Sequence, residues 1–186
     1  MNRMPIAAMI VACCCAACST AEPRYYVLDA ATSRGARAAD GPPILLASVS
    51  IPAEVDRPQM VLATAGSEVT IADGHRWASP LQAAVTNALA RDLALSLGET
   101  RVQAESHVTT WPGWRLDVQI TEFGSRLDRE ARIDATWQLR RGAIVRDGAA
   151  SVREPASGGF DGLAQAHGRA LSRLAVQIAD AVLRES

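Results

Sequence analysis

With 186 residues, 48% hydrophobic and 21% charged, the chain is long enough for one globular domain and too apolar for a disordered one. A formal net charge of -1 lacks the basic excess of a nucleic-acid binder, so nucleic acid is not expected as a partner. All 19 basic residues are arginine, which rules out a Schiff-base lysine and the lysine of a phosphate-binding loop.

The chain opens on Met1-Asn2-Arg3, a short positive stretch, and continues as MPIAAMIVACCCAA, apolar over about 14 residues. That is too short for the roughly 20 residues of a membrane-spanning helix and fits the apolar core of a signal peptide. All four cysteines, Cys13, Cys14, Cys15 and Cys18, lie in this stretch or at its end. Zinc ligands come as separated pairs, yet no Cys or His follows before His75. A disulfide framework needs cysteines spread along the fold, and none occurs after Cys18. The pattern Ala16-Ala17-Cys18 reads instead as a lipobox, with cleavage before a cysteine whose thiol then carries diacylglycerol. Cys15 stands three positions ahead of Cys18, where leucine is usual, and Cys13 is the rival attachment site. Cutting before Cys13 would leave only about eight apolar residues, whereas cutting before Cys18 keeps the apolar core whole and leaves no stray thiol. An ordinary secretory cleavage near Ala17 is the remaining alternative. The expected organisation is a signal peptide over 1–17, a lipidated tether over 18–23 and one domain over 24–186. Ser19, rather than aspartate, after the cysteine favours sorting to the outer membrane.

RYYVLDA (24–30) predicts a first strand, ATSRGARAADGPP (31–43) a loop, and ILLASVSIP (44–52) a strand ended by Pro52. QMVLAT (59–64) and EVTIAD (68–73) predict an antiparallel hairpin about the turn AGS. Ser79, Pro80 and Gln82 read as the cap, first position and capping-box partner of a helix. That helix has Leu81, Val85, Leu89, Leu93 and Leu97 on one face, with Ala84 and Ala88 beside them, and ends at Gly98. RVQAE (101–105) predicts a strand. Apolar residues then alternate at Trp114, Leu116, Val118 and Ile120, and again at Ala131, Ile133, Ala135, Trp137 and Leu139. With a third strand near 143–152 these predict an antiparallel meander, whose other face, bearing Arg132, Asp134 and Arg140, is wet or meets a polar partner. The last helix, 160–185, carries a stripe of Leu163, His167, Ala170, Leu171, Leu174, Ile178, Ala181 and Val182. The fold class is therefore α/β of the α+β kind, a single domain with a mixed, mostly antiparallel sheet and two long helices packed on one face.

A catalytic site needs a nucleophile, a base and a stabiliser that converge. No G-x-S-x-G, H-E-x-x-H or G-x-G-x-x-G motif occurs, and the three histidines are scattered. His167 on an apolar stripe reads as a packed, hydrogen-bonded core residue, and His107 has no partner nearby in sequence. His75-Arg76-Trp77, between a strand and a helix start, reads either as an interface patch with Trp77 as anchor or as a core plug. Asp56, Arg57, Pro58 and Gln59 read either as a docking turn or as a turn shaped by an Asp56–Arg57 ion pair. No catalytic residue, metal site or cofactor is expected.

The lipobox cysteine, YYVL (25–28), IPAEVDRPQMV (51–61), HRWASPL (75–81) and FDGLAQAHGRALSRLAVQIADAV (160–182), taken in this order, resemble the PqiC (YmbA-like) family of auxiliary lipoproteins. The stretch 65–73 and the lipobox depart from the family pattern. The resemblance implies a non-enzymatic lipoprotein on the periplasmic side of the outer membrane. Its partners would be an MCE-domain protein that forms a lipid conduit and the inner-membrane ABC or permease components. It also admits a homo-oligomeric ring, and it carries Asp56 to Gln59 and His75 to Trp77 over as packing or docking words. A different envelope-assembly or secretion adaptor is the alternative, and a lipid-anchored hydrolase a more distant one.

Overall fold

A computed structural model describes residues 22–28, 41–104 and 111–184. Cys13, Cys18 and His107 lie outside the described residues. Along the chain the elements are β1 (Arg24–Tyr26), β2 (Ile44–Ser50), β3 (Gln59–Ala63), β4 (Val69–Trp77), α1 (Leu81–Leu97), β5 (Val102–Ala104), β6 (Trp114–Arg126), β7 (Glu130–Arg141), β8 (Ile144–Pro155) and α2 (Gly159–Arg184).

The expected α+β class holds, with the strands divided between two sheets. A five-stranded sheet has the order β5-β2-β6-β7-β8, and a three-stranded sheet the order β1-β4-β3. β2 runs parallel to β5 and β6, and β6, β7 and β8 form the antiparallel meander. In the smaller sheet β3 and β4 make the expected hairpin, and β1 joins parallel to the end of β4. Pro52, just beyond β2, has no N–H to donate to a ladder, so the chain leaves the large sheet there and enters β3 of the small sheet at Gln59.

The inner face of the large sheet follows the alternation in sequence. Trp114, Leu116, Val118 and Ile120 are buried, as are Ala131, Ile133, Ala135, Trp137 and Leu139. The β6 register then slips between Ile120 and Glu122. One extra residue inverts the phase, so Phe123 and Ser125 face the core in its place. α1 and α2 pack against each other; α1 also lies on β2 and β5, and α2 on β7 and β8. Leu81, Val85, Ala88, Leu89, Leu93 and Leu97 of α1 and Leu163, Leu171, Leu174, Ile178 and Val182 of α2 are buried between the layers. Each of the Leu, Val and Ile side chains contributes about 1.5–3 kcal/mol of hydrophobic stabilisation when fully buried.

Two local expectations are corrected. Ser79 does not cap α1: the cap position is Pro80, extended at ψ 127°, with no side-chain cap bond. The amide of Gln82, expected to close a capping box, donates to the Val49 carbonyl of β2 at 2.8 Å. The cap residue is a proline with no N–H for Gln82 to accept, so a capping box cannot close there, and the amide is left to serve the strand carbonyl. β4 also runs past Asp73 to Trp77, because β1 supplies a partner ladder for residues 75–77.

Gly148 on β8 lies opposite Trp137. A Cβ there would come within 2.3 Å of the indole ring of Trp137. Gly148→Ala is expected to destabilise the fold by about 1–3 kcal/mol through overpacking, read as a lower urea midpoint with an unchanged slope.

Candidate functional site

The two sequence words singled out above meet at one corner of the small sheet. Gln59 stands opposite Arg76, and the Trp77 amide donates to the Pro58 carbonyl at 2.8 Å. Between Ala72 and Arg76 the segment Asp73-Gly74-His75 bulges out of the β3 pairing, since Met60 already pairs with Ala72. β1 covers the other edge, with Arg24 opposite His75, Tyr25 opposite Arg76 and Tyr26 opposite Trp77.

The residues of this corner have different environments. Trp77 is 5% exposed and meets Phe123 edge-on at 6.2 Å and His167 edge-on at 6.1 Å, so the structure places it in the core. His75 is half-buried and lies flat on Phe160 of α2, ring centroids 3.5 Å apart, with its Nδ1 2.7 Å from the Tyr26 hydroxyl. Burial, and then the nearby Arg24 charge, lower the His75 pKa, so the ring is neutral at neutral pH. Arg76 faces outward and donates its Nε–H to the Asp73 carbonyl at 3.3 Å. Asp56, Arg57 and Pro58 are exposed, and Gln59 is partly buried. The expected Asp56–Arg57 ion pair does not form. Backbone bonds from Val55 N to Pro52 O and from Arg57 N to Val55 O close the turn, with the Val55 side chain buried beneath it.

A second constellation lies inside. Ser125 Oγ and His167 Nε2 are 2.8 Å apart, and Phe123 stacks on the imidazole at 4.0 Å. Serine beside histidine is the chemistry of an activated nucleophile. Here Ser125 is 5% and His167 0% exposed, and His167 Nδ1 has no partner to orient it. Burial pushes the imidazole down to about 3, so it is neutral and shut off from any substrate. The pair therefore joins α2 to β6. Strict alternation from Trp114 would turn Ser125 outward; the β6 bulge turns it inward.

The leucine spacing of α1 alone does not single out Asp92. It lies on the inner side of α1, fully buried, and neither carboxylate oxygen has a hydrogen-bond partner. Burial pushes its carboxyl up to about 6, partly offset by Arg91. Its place three residues after Leu89 and one before Leu93 was the available signal. Glu154, also buried, is answered from α2 by Arg169 and Arg173.

The outer face of the large sheet is a shallow trough of about 800 Å³ lined by Ser48, Ser50, Asp117, Gln119, Thr136 and Gln138 among others. Its groups satisfy one another: Ser48 donates to Asp117 at 2.6 Å and Gln138 to Asp147 at 2.9 Å. Among the described residues there is no cluster of three or more His, Cys, Asp or Glu able to hold a metal. Among the same residues no helix is long and apolar enough to cross a membrane.

Residues 26–179 match the model of a family described as ABC-type transport auxiliary lipoprotein component. No curated protein matches the sequence. An uncharacterized protein of known structure superposes with a TM-score of 0.72 at 20% identity, covering 87% of this chain and 99% of that one. A DUF330-family protein from Xanthomonas campestris superposes with a TM-score of 0.67 at 17% identity, covering 86% and 94%. At these identities both show a shared fold. A PelC dodecamer from Paraburkholderia phytofirmans is more distant, with a TM-score of 0.45 at 11% identity over 86% and 93%.

Proposed function

The chain belongs to the family of ABC-type transport auxiliary lipoprotein components, and from that premise we propose that it is a non-enzymatic, periplasm-facing lipoprotein of the outer membrane. It serves an MCE-type intermembrane lipid transport system by docking the end of the lipid conduit. The reading is carried by a family match that begins at Tyr26, eight residues after a lipobox cysteine, Cys18 (26 − 18 = 8). Acylation at Cys18 and the short segment that follows would hold the domain against one leaflet. Each buried acyl methylene adds about 0.8 kcal/mol to that attachment. The docking surface is assigned to the corner of Asp56, Arg57, Pro58, Gln59, His75 and Arg76, where two family words converge on exposed or half-exposed side chains. Trp77 supports that corner from within. The resemblance also supports a ring of identical subunits, whose size sedimentation of the delipidated domain would give.

Cys18→Ala is expected to abolish palmitate labelling and recovery in outer-membrane fractions, while the released domain keeps its melting temperature. Retained label would move the anchor to Cys13. Failure of the acylated protein to recover an MCE-domain partner in gentle detergent would defeat the transport reading.

A further inference from the structure

The small sheet presents an apolar outer face, and we propose that this face lies on the lipid leaflet that holds the anchor. The inference rests on acylation of Cys18, as read above. β3 runs without an extra residue, so Gln59, Val61 and Ala63 share one side, while Met60 on the other is 1% exposed. Val61 stands opposite Ile71, Ala63 opposite Val69, and Gln59 opposite Arg76, which stands opposite Tyr25. Tyr25, Val69 and Ile71 are 62%, 56% and 43% exposed, so three of the most exposed large apolar side chains among the described residues share this one face. Val61 and Ala63 are partly buried, Val61 against the edge of the core, so the open part of this face is formed by Tyr25, Val69 and Ile71. By contrast, the outer face of the large sheet is polar and internally hydrogen-bonded.

Chain length selects the occupant. Six residue steps separate Cys18 from Arg24, the first residue of β1 (24 − 18 = 6). Fully extended they reach about 20 Å. β1 is the edge strand of this sheet, so an acylated Cys18 brings this sheet to the bilayer before any other part of the domain. Tyr25 beside Arg24 has the make-up of an interfacial contact, an amphipathic ring next to a side chain that keeps its charge at headgroup level. Glu68 and Asp73 stand at the rim, so the contact is apolar and does not require anionic headgroups.

The test uses the full acylated protein carrying Val69→Cys or, as a control far along β8, Val145→Cys, each with an environment-sensitive fluorophore, on vesicles of phosphatidylethanolamine with or without phosphatidylglycerol. On vesicles the label at 69 is expected to be severalfold less accessible to aqueous iodide than the label at 145. It should also be quenched by nitroxide-bearing lipid, equally on both vesicle types. Adding Ile71→Asp should abolish the shielding with acylation intact. Equal iodide access at 69 and 145 in protein shown by mass spectrometry to be acylated would overturn the leaflet contact alone. Absence of the acyl mass would remove both this inference and the anchor reading. Shielding at 69 that grows with concentration in the delipidated domain without vesicles would assign the face to a second copy and overturn the proposal.

Discussion

Trp77→Ala is expected to lower the unfolding free energy by about 3–5 kcal/mol, the cost of removing a large aromatic side chain from a packed interior. The indole lies where three parts meet. Its strand belongs to the small sheet, its edge contact at 6.2 Å is Phe123 of the large sheet, and its contact at 6.1 Å is His167 of α2. The space left by truncation cannot close by a simple inward shift, because Phe123 and His167 are already stacked on each other. Urea titration followed by far-UV circular dichroism measures the loss. For a protein of this size it corresponds to a fall in melting temperature of roughly 2–4 °C per kcal/mol. Arg76→Ala, one residue away on the outer side, is expected to change stability by less than about 0.5 kcal/mol. A stable Trp77→Ala protein that had lost partner binding would instead identify the indole as an interface anchor.

The second large effect concerns Asp92. Its carboxyl titrates near 6 in the folded chain, against 3.8 ordinarily, because burial disfavours the charge. In the unfolded chain the proton leaves near pH 4, while the folded chain keeps it to about pH 6. Between those values the folded state binds more protons, so stability falls as pH rises through the window and stays lower above it. A displacement of about two units corresponds to roughly 3 kcal/mol. Asp92→Asn is therefore expected to be more stable than the wild type at pH 7 by up to about 3 kcal/mol, with the advantage vanishing at pH 4. Guanidinium unfolding at the two pH values checks this. An advantage of equal size at both would show that the gain does not come from the buried charge.

Much of the fold could be read before any coordinates because its periodicities are strong. The four-residue leucine spacing of α1 and the alternation from Ala131 to Leu139 each have a single sensible inward face, and the structure buries those faces. Features set by pairing between distant segments could not be read. The continuation of β4 to Trp77 depends on β1, some fifty residues earlier, and nothing local to His75-Arg76 announces that partner. The spacing of Gln82 from Ser79 suits a capping residue, but the Val49 carbonyl takes its amide through space. The same limit applied to the site. Residues 56–59 and 75–77 stood out as separate words, and only the bulge at residues 73–75 brings them to one corner. Adjacency in sequence suggests an Asp56–Arg57 pair as one way to shape the turn; a turn closed by its own backbone does not need it.

The parallel pairing of Arg24, Tyr25 and Tyr26 with His75, Arg76 and Trp77 has a mechanical consequence. Tension arriving along the chain at Arg24 pulls β1 lengthwise past β4, so the bonds of that ladder share the load at once, as in a lap joint, rather than opening one by one. The stacked rings of His75 and Phe160 then pass the strain into the 26-residue rod of α2. A thermal jolt at the leading end is thereby spread through the body of the domain.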